Sequence, residues 1–448
     1  MNTVSSGAIL RFVNRLEREG VCLHGFELRV NGNLRAEGYY APFRKGEPHR
    51  MYSVSKSMVS LAMGLLADDG RLSLDDLIVD HFRDKLPETP DPRLMRLTIR
   101  DMLRMATCHR KTTYREFVDV NYDSTFFTVT PTHEPGTMFN YDTSCSQVLA
   151  ALAQRLSGKG LLEFLTERLF APLGADDPKN WLTDASGVPT GGTGLLMSLR
   201  DLGKVAQMVL DGGRGLISAD YLAAATARQI GTEAQGPREE QHGYGYQFWR
   251  TRRGWAMYGM GGQMAIACPE EKVLLCTIGD TRLDPHGVQR LYDAFFDEIM
   301  DHLDEPETPE SAEALREKLA CLKVVAAPHA GGAWPESERV YQIVSGGPKQ
   351  VTLTGNSVGV QWDDSEDVFR WDAWGQHRQD RWNGVPTLTS AGLTEDGGLR
   401  LVCKVIGEAP CGIEMFIYER NGTVSIRMRK SSDPMTNRYE GIFWGVSK

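Results

Sequence analysis

The stretch MYSVSKSMVSLAMGLLADDG, residues 51–70 of a 448-residue chain, decides the fold and the chemistry that we expect. From Ser53 to Ala67 every residue except Lys56 is apolar or small. A helix that is apolar around most of its circumference is buried, and Gly70 is a typical residue for the end of a helix. The stretch therefore predicts a central, buried helix that begins near Ser53.

Ser53 and Lys56 form the pattern Ser-x-x-Lys, which occurs once in the chain. Residues three apart share one face of a helix, so the lysine amine can reach the serine hydroxyl. A serine hydroxyl is a weak nucleophile and needs a neighbouring base. Burial and the positive end of a helix both disfavour the ammonium form, so both are expected to lower the pKa of Lys56. The pattern predicts a nucleophile and its base; the alternative is a helix-capping serine beside a solvated lysine.

The composition argues against several other classes of protein. Hydrophobic residues make up 41% and charged residues 24%, an ordinary globular balance, and a formal net charge of −9 argues against nucleic acid as a partner. No apolar run approaches the roughly 18 residues of a membrane helix. Arg11 and Arg15 interrupt the segment that a signal peptide would keep apolar, so we expect a cytoplasmic protein. The eight cysteines form no Cys-x-x-Cys pair and no metal-ligand spacing, so we expect neither a metal nor an organic cofactor.

The pattern of helices and strands changes after residue 305. Before that point, helical segments such as 97–105 and 144–158 alternate with strands. Residues 306–324 combine an acidic, proline-containing stretch with a short helix, which indicates a linker. From residue 325 to 448 short strands and tight turns repeat, which predicts a small antiparallel β-barrel. We therefore expect a first domain over 1–305, a linker over 306–324 and a second domain over 325–448.

Further motifs follow the Ser-x-x-Lys helix in order: LTIRDMLRMAT, EPGTMFNYDTS, GTGLLMSLRDLGKVAQMVLDGG, GYGYQFW and MYGMGGQ. From about Gly7 to Leu303 the chain resembles the serine β-lactamase-related family, which comprises class C β-lactamases, penicillin-binding-protein-like D-amino-acid peptidases, esterases and 6-aminohexanoate-dimer hydrolases. Several motifs in order are far more specific than one Ser-x-x-Lys pattern. The resemblance implies an α+β fold, namely a β-lactamase/transpeptidase-like α/β/α sandwich with an antiparallel sheet, followed by a lipocalin-like β-barrel domain.

The resemblance also implies roles for single residues. Ser53 would be the nucleophile, Lys56 the base and Tyr141 a proton shuttle, and a tyrosine beside an ammonium group is expected to ionise more easily. The backbone N–H groups of Ser53 and Gln263 would form the oxyanion hole. The third motif would lie on an edge strand beside the nucleophile and consists of Met260, Gly261 and Gly262. The alternatives are a buried structural tyrosine and a glycine bulge or turn.

Two positions depart from the family pattern. The second motif, usually Tyr-x-Asn, ends in Thr143, and the third motif, usually Lys-Thr-Gly or His-x-Gly, begins with Met260. The missing lysine or histidine is the cation that would meet the carboxylate of a β-lactam or a peptide. We therefore expect the chain to be closest to the esterase and 6-aminohexanoate-dimer hydrolase branch, with a small ester, amide or short peptide-like compound as its substrate.

Three functions remain open from the sequence. The first is a carboxylesterase or amidase that forms an acyl-enzyme on Ser53, the second is a β-lactamase or D-amino-acid peptidase, and the third is an inactive family member that binds a ligand. A second serine, Ser357, lies in the pattern Gly-x-Ser-x-Gly. That pattern needs a strand before the serine and a helix after it, whereas a β-hairpin is predicted around Ser357. Nothing in the sequence indicates an oligomeric state.

Overall fold

The computed structural model describes residues 2–116, 118–409, 411–431 and 437–448, and the chain divides into two compact units. The first unit consists of Met1–Glu19, Leu23–Gly279 and His286–Leu322. The second unit consists of Gly20–Cys22, Asp280–Pro285 and Lys323–Lys448. The linker predicted over 306–324 contains a helix, Pro309–Ala320, that packs on the first helix of the chain within the first unit.

The described α-helices all belong to the first unit, and each falls short of the length and apolarity that a bilayer crossing requires. They are α1 (Ser6–Arg18), α2 (Val54–Asp68), α3 (Ile78–His81), α4 (Ile99–Leu103), α5 (Tyr122–Thr128), α6 (Thr143–Ser157), α7 (Leu161–Leu165), α8 (Leu199–Leu210), α9 (Ala219–Thr226), α10 (Gly287–Glu298) and α11 (Pro309–Ala320).

The strands of the first unit form a six-stranded and a three-stranded sheet. They are β1 (Leu23–Val30), β2 (Asn33–Tyr39), β3 (His49–Arg50), β4 (Asn180–Trp181), β5 (Leu195–Met197), β6 (Trp249–Thr251), β7 (Gly254–Gly259), β8 (Gln263–Cys268) and β9 (Val273–Gly279). The larger sheet is antiparallel throughout and has the order β2-β1-β9-β8-β7-β6, and the smaller one has the order β3-β5-β4.

Helices α1 and α8 cover opposite faces of the six-stranded sheet. Successive residues of a strand point to opposite faces. In β1 the Phe26 ring meets the Phe12 ring of α1 edge to face, with centroids 5.9 Å apart. The next residue, Glu27, lies against α8, where a Cβ at Gly203 would stand 2.2 Å from the carboxylate. The predicted α/β/α sandwich is confirmed.

Helix α2 is buried along nearly its whole length, as its composition predicts. Every residue from Val54 to Leu66 is shielded from solvent. The helix packs against α6 and against β7, at the end of the sheet that carries the third motif. The burial of α2 matters for function because it removes water from the side chains that its first turn carries.

The second unit is a nearly closed antiparallel barrel. Its strands are β10 (Arg339–Ile343), β11 (Gln350–Leu353), β12 (Ser357–Gln361), β13 (Glu366–Arg370), β14 (Arg378–Trp382), β15 (Val385–Leu393), β16 (Leu399–Val405), β17 (Gly412–Arg420), β18 (Thr423–Lys430) and β19 (Gly441–Ser447). They follow the order β13-β12-β11-β10-β19-β18-β17-β16-β15-β14, and the two end strands contact each other.

Aromatic side chains fill the core of this barrel. Trp362, Phe369 and Trp371 are buried in it. The buried carboxylate of Asp367 accepts hydrogen bonds from the indole N–H groups of Trp362 and Trp382, at 2.8 and 2.7 Å. These rings therefore serve the packing of the barrel.

Ser357 is the first residue of β12 and follows a tight turn. The next element after β12 is the strand β13, so the helix that a Gly-x-Ser-x-Gly nucleophile needs does not follow Ser357.

Candidate active site

The segment before α2 presents Ser53 at the surface of an otherwise buried turn. The Met51 N–H donates to the Leu195 carbonyl of β5 at 2.7 Å, and the Met51 carbonyl accepts from the Val54 N–H at 3.1 Å. Between them Tyr52 has a φ of +46°, a left-handed conformation that is strained for a bulky residue. This bend leaves Ser53 partly exposed while Met51, Tyr52 and Val54 are buried.

Lys56 lies beside Ser53, as the Ser-x-x-Lys spacing predicts. Its amine nitrogen Nζ is 3.0 Å from Ser53 Oγ, and it donates to the Gly192 carbonyl at 2.8 Å. The side chain is almost fully buried, with 1% of the residue exposed. Burial lowers the pKa of the Lys56 amine to about 8, although the negative charges of Glu116 and Asp142 oppose this shift. A pKa of about 8 leaves a fraction of the amine neutral at ordinary pH, and this fraction can accept a proton as a general base does.

The contact with Gly192 was missed by sequence reasoning. A Cβ at Gly192 would stand 2.2 Å from Thr143 Cγ2 and 3.2 Å from Lys56 Nζ, and a Cβ at Gly191 would stand 2.3 Å from the Ser146 carbonyl. Only glycines allow the loop to come this close to α6 and Lys56. The available signal was the run Gly191-Gly192-Thr193-Gly194, directly before β5.

Tyr141 is the third side chain of the cluster. The Ser53 side chain favours ionisation of its hydroxyl, and Lys56 Nζ is 5.0 Å from the centre of its ring. The ring stacks on Trp249, with centroids 5.6 Å apart and planes at 20°. Burial raises the pKa of Tyr141 well above its ordinary value. The expectation that this tyrosine ionises more easily was wrong, since desolvation exceeds the opposing effect of the Ser53 side chain, and the Tyr141 hydroxyl is therefore neutral at ordinary pH.

The rest of the second motif anchors Tyr141 to α6. The buried Asp142 carboxylate caps this helix and accepts a hydrogen bond from the Ser144 N–H at 2.9 Å. It also accepts from the Thr107 hydroxyl at 3.3 Å. Thr143, the departure from Tyr-x-Asn, is the first residue of α6, and its N–H donates to the Thr112 hydroxyl at 3.1 Å. The Gly192 carbonyl, rather than a side-chain amide at position 143, is therefore the oxygen that binds Lys56.

The third motif forms the turn between β7 and β8. Gly261 and Gly262 have φ values of +90° and +91°, so they form a turn rather than a strand. A Cβ at Gly259, the last residue of β7, would stand 2.1 Å from the Met51 carbonyl. The last residue of β7 therefore contacts Met51, and this contact places the turn close to Ser53.

The edge position predicted for this motif needs a correction. The strand β6 forms the edge of the sheet, but it pairs only with Gly254–Ala256 of β7. Residues 257–259 extend beyond β6, because β6 contains only three residues. The end of β7 is thus an edge locally, although β7 is not the edge strand.

Gln263, whose backbone N–H is the predicted oxyanion donor, is buried. It pairs with Gly259 across the hairpin and is 1% exposed, whereas Met260 is 41% exposed. Its side-chain amide donates to the carbonyls of Met260 and Gly279 at 3.0 and 2.9 Å, which holds the turn in place. Its part in an oxyanion hole stays a prediction.

Comparison with known proteins agrees with this architecture. The sequence pattern of the beta-lactamase family matches residues 18–279. The 6-aminohexanoate-dimer hydrolase of Paenarthrobacter ureafaciens is 28% identical over 211 residues, which are 44% of this chain and 54% of that protein. The chain thus spans about half the length of this curated relative.

Solved structures share the fold. The penicillin-binding protein homologue from Caulobacter crescentus is 17% identical with a TM-score of 0.52, over 66% of this chain and 99% of that chain. The D-amino acid amidase from Ochrobactrum anthropi SV3 is 16% identical with a TM-score of 0.52, over 69% and 98%. The family match includes Ser53, Lys56, Tyr141 and the turn after β7, and it extends over more than half of the sequence. The chain therefore belongs to the beta-lactamase family.

Proposed function

We propose that the protein is a serine hydrolase that cleaves small ester or amide bonds through an acyl-enzyme on Ser53. The observation that carries this proposal is the buried Lys56 amine, 3.0 Å from the Ser53 hydroxyl and with a pKa lowered to about 8. An amine in this state accepts a proton from serine far more readily than a solvated lysine does.

The reaction follows from the arrangement of the three side chains. Ser53 Oγ attacks the substrate carbonyl carbon, and its proton passes to Lys56 Nζ, directly or through the Tyr141 hydroxyl. The carbon–leaving-group bond then breaks, and the leaving alcohol or amine takes a proton from Tyr141, which Lys56 resupplies. A water molecule, deprotonated by the same pair, attacks the acyl-enzyme and releases the carboxylic acid and Ser53.

Backbone N–H groups are proposed to stabilise the oxyanion. The Ser53 N–H is the first donor, at the turn before α2. The second comes from the Gly259–Gln263 turn, where the Gln263 N–H is the proposed donor. Donors fixed in this way stabilise the charge that develops in the transition state.

The neutral side chain of Met260 favours small esters and amides over β-lactams. A lysine or histidine at this position would bind a substrate carboxylate, and Met260 offers no charge. The name of the Paenarthrobacter relative, 6-aminohexanoate-dimer hydrolase, also supports a small-molecule substrate.

Covalent labelling tests the proposal directly. A fluorophosphonate probe is expected to label the wild type, with the adduct mapped by mass spectrometry to the peptide that contains Ser53. The Ser53→Ala variant is expected to lose labelling and p-nitrophenyl butyrate hydrolysis, whereas Ser357→Ala retains both. Faster turnover of a chromogenic cephalosporin than of p-nitrophenyl butyrate would favour a β-lactamase, and folded wild type without labelling would favour a binding protein.

A further inference from the structure

Two consecutive carbonyl groups of the loop before β5 are bound by two different basic side chains. The Gly192 carbonyl accepts a hydrogen bond from Lys56 Nζ at 2.8 Å. The next carbonyl along the chain, that of Thr193, accepts one from Arg50 Nε at 3.1 Å. Arg50 ends the strand β3 and lies three residues before Ser53. The stretch of chain that leads into the nucleophile therefore also holds the loop that binds the base.

Arg50 is itself fixed by an acidic residue and by an aromatic ring. Its Nη2 donates to Glu116 Oε1 at 2.8 Å, and its Cζ lies 5.0 Å from the centre of the Tyr52 ring. The residue is 7% exposed, so the guanidinium is largely shielded from water. The same oxygen of Glu116 accepts a hydrogen bond from the Thr193 hydroxyl at 3.1 Å. Arg50, Glu116 and Thr193 thus form a closed ring of hydrogen bonds.

Two further contacts hold the ends of the same loop. The Gly191 N–H donates to Gln147 Oε1 of α6 at 3.1 Å. The Leu195 N–H donates to Ser55 Oγ of α2 at 3.0 Å. Between these two anchors, Arg50 supplies the contact to the carbonyl that directly follows that of Gly192. A guanidinium donates in fixed directions from one plane, so it sets the relative positions of its acceptors more strictly than an ammonium does.

We propose that Arg50 is a positioning residue, which fixes the Thr193 carbonyl and thereby keeps the Gly192 carbonyl against the amine of Lys56. A buried ion pair adds little stability over apolar side chains of the same volume. The pair of Arg50 with Glu116 therefore serves the geometry of the loop. Arg50 acts through Lys56 and takes no part in bond making or breaking. The inference rests on the proposed hydrolase function and adds a residue that its mechanism does not yet contain.

Substitution of Arg50 separates the rate of acylation from substrate binding. Arg50→Met removes the guanidinium and keeps an unbranched side chain that suits a buried site. In stopped-flow experiments with p-nitrophenyl butyrate, its maximal acylation rate is expected to fall about tenfold, because small displacements of a base are costly. The half-saturating ester concentration is expected to stay the same. Arg50→Lys is expected to recover the rate to within about threefold of the wild type, because one ammonium can donate to both oxygens.

Arg168→Met is the matched control, because Arg168 makes the same kinds of contact at the opposite end of α2. Its Nη1 donates at 2.6 Å to the carboxylate of Asp69, the C-terminal cap of α2. Its Cζ lies 5.8 Å from the centre of the Phe164 ring. The control loses an arginine, an ion pair and a ring contact, and it is expected to acylate at the wild-type rate. Equal losses in the two variants, or a wild-type rate in folded Arg50→Met, would overturn the inference.

A background without the base distinguishes positioning from a general disturbance of the site. In Lys56→Met, the residual rate of fluorophosphonate labelling reports Ser53 alone. Arg50→Met is expected to slow labelling about tenfold when Lys56 is present and less than about twofold when it is absent, because a residue that acts through Lys56 has nothing left to position. The same tenfold loss in both backgrounds would overturn the inference.

Thr193→Val decides the inference if Arg50→Met does not fold. It removes the hydroxyl that binds Glu116 from a partly exposed position and keeps the backbone carbonyl. Its maximal acylation rate is expected to fall about threefold, and an unchanged rate would then overturn the inference. If the probe does not label Ser53 in the wild type, the proposed function fails. If it labels the wild type and folded Arg50→Met equally fast, the positioning inference alone fails.

Discussion

Lys56 is buried and Glu240 is half-buried, and the structure holds these two charged groups in different ways. Burial favours the neutral form of both, so it lowers the pKa of Lys56 to about 8 and raises the pKa of Glu240 to about 7. Lys56 is fixed by Ser53 Oγ and by the Gly192 carbonyl. Glu240 is held through its backbone, whose carbonyl accepts a hydrogen bond from the Thr232 hydroxyl at 2.6 Å. A group whose charged atom has fixed neighbours suits proton transfer.

Removal of the fixed amine is expected to have the largest effect. Lys56→Met keeps an unbranched side chain, one atom shorter, and deletes the base, so kcat for p-nitrophenyl butyrate should fall roughly 10³- to 10⁴-fold. Circular dichroism should remain that of the wild type, because methionine suits a buried site. Lys323→Met, at an exposed position, serves as the control. A loss of less than tenfold in folded Lys56→Met would contradict the assignment of the base.

Displacement of the Gly192 carbonyl, which binds the Lys56 amine, is expected to have an intermediate effect. In Gly192→Ala the new Cβ would meet Thr143 Cγ2 at 2.2 Å, so the carbonyl that binds Lys56 must move. We expect kcat to fall about 10- to 100-fold, since small displacements of a catalytic group are costly. Gly160→Ala is the control, because no atom lies within 4 Å of a Cβ there. Wild-type kcat in Gly192→Ala would show that the Gly192 carbonyl does not position Lys56.

A new charge in the third motif is expected to have the smallest effect and to shift specificity towards substrates that carry a carboxylate. Met260→Lys restores the cation of the family pattern on an exposed side chain. The kcat/KM for a chromogenic cephalosporin, which carries a carboxylate, is expected to rise about tenfold. Hydrolysis of p-nitrophenyl butyrate should stay within about twofold of the wild type. Parallel changes with both substrates would indicate a general disturbance of the turn instead of charge recognition.

The residues around Tyr141 show which features sequence can predict. The Ser53–Lys56 pair lies within one helical turn, so local spacing determined its geometry, and the apolar composition of α2 determined its burial. The Gly192 contact joins residues 136 positions apart, and nothing local encodes such an approach. Whether a glutamate is paired depends on where arginines lie after folding. Glu239 and Glu240 look alike in the sequence, and only the fold shows that Arg252 binds the Glu239 carboxylate.

The third motif shows a different limit. The motif letters identified the right hairpin, but which of its side chains are buried depends on the strand register. The structure pairs Gln263 with Gly259 and buries it, whereas Met260 is exposed. The pKa of Tyr141 was also misjudged, because the sequence showed the nearby amine and not the extent of burial.

The pH dependence of acylation tests the central claim most directly, because it reports the protonation state of Lys56 itself. Below its pKa the amine holds a proton and cannot accept one from Ser53, so the acylation rate should rise with pH and level off above about 8. Stopped-flow release of p-nitrophenol from p-nitrophenyl butyrate measures this rate from pH 6 to 10. The account predicts a single limb with an apparent pKa near 8. A rate that does not change over this range, or a limb near the ordinary lysine value of about 10.4, would contradict it.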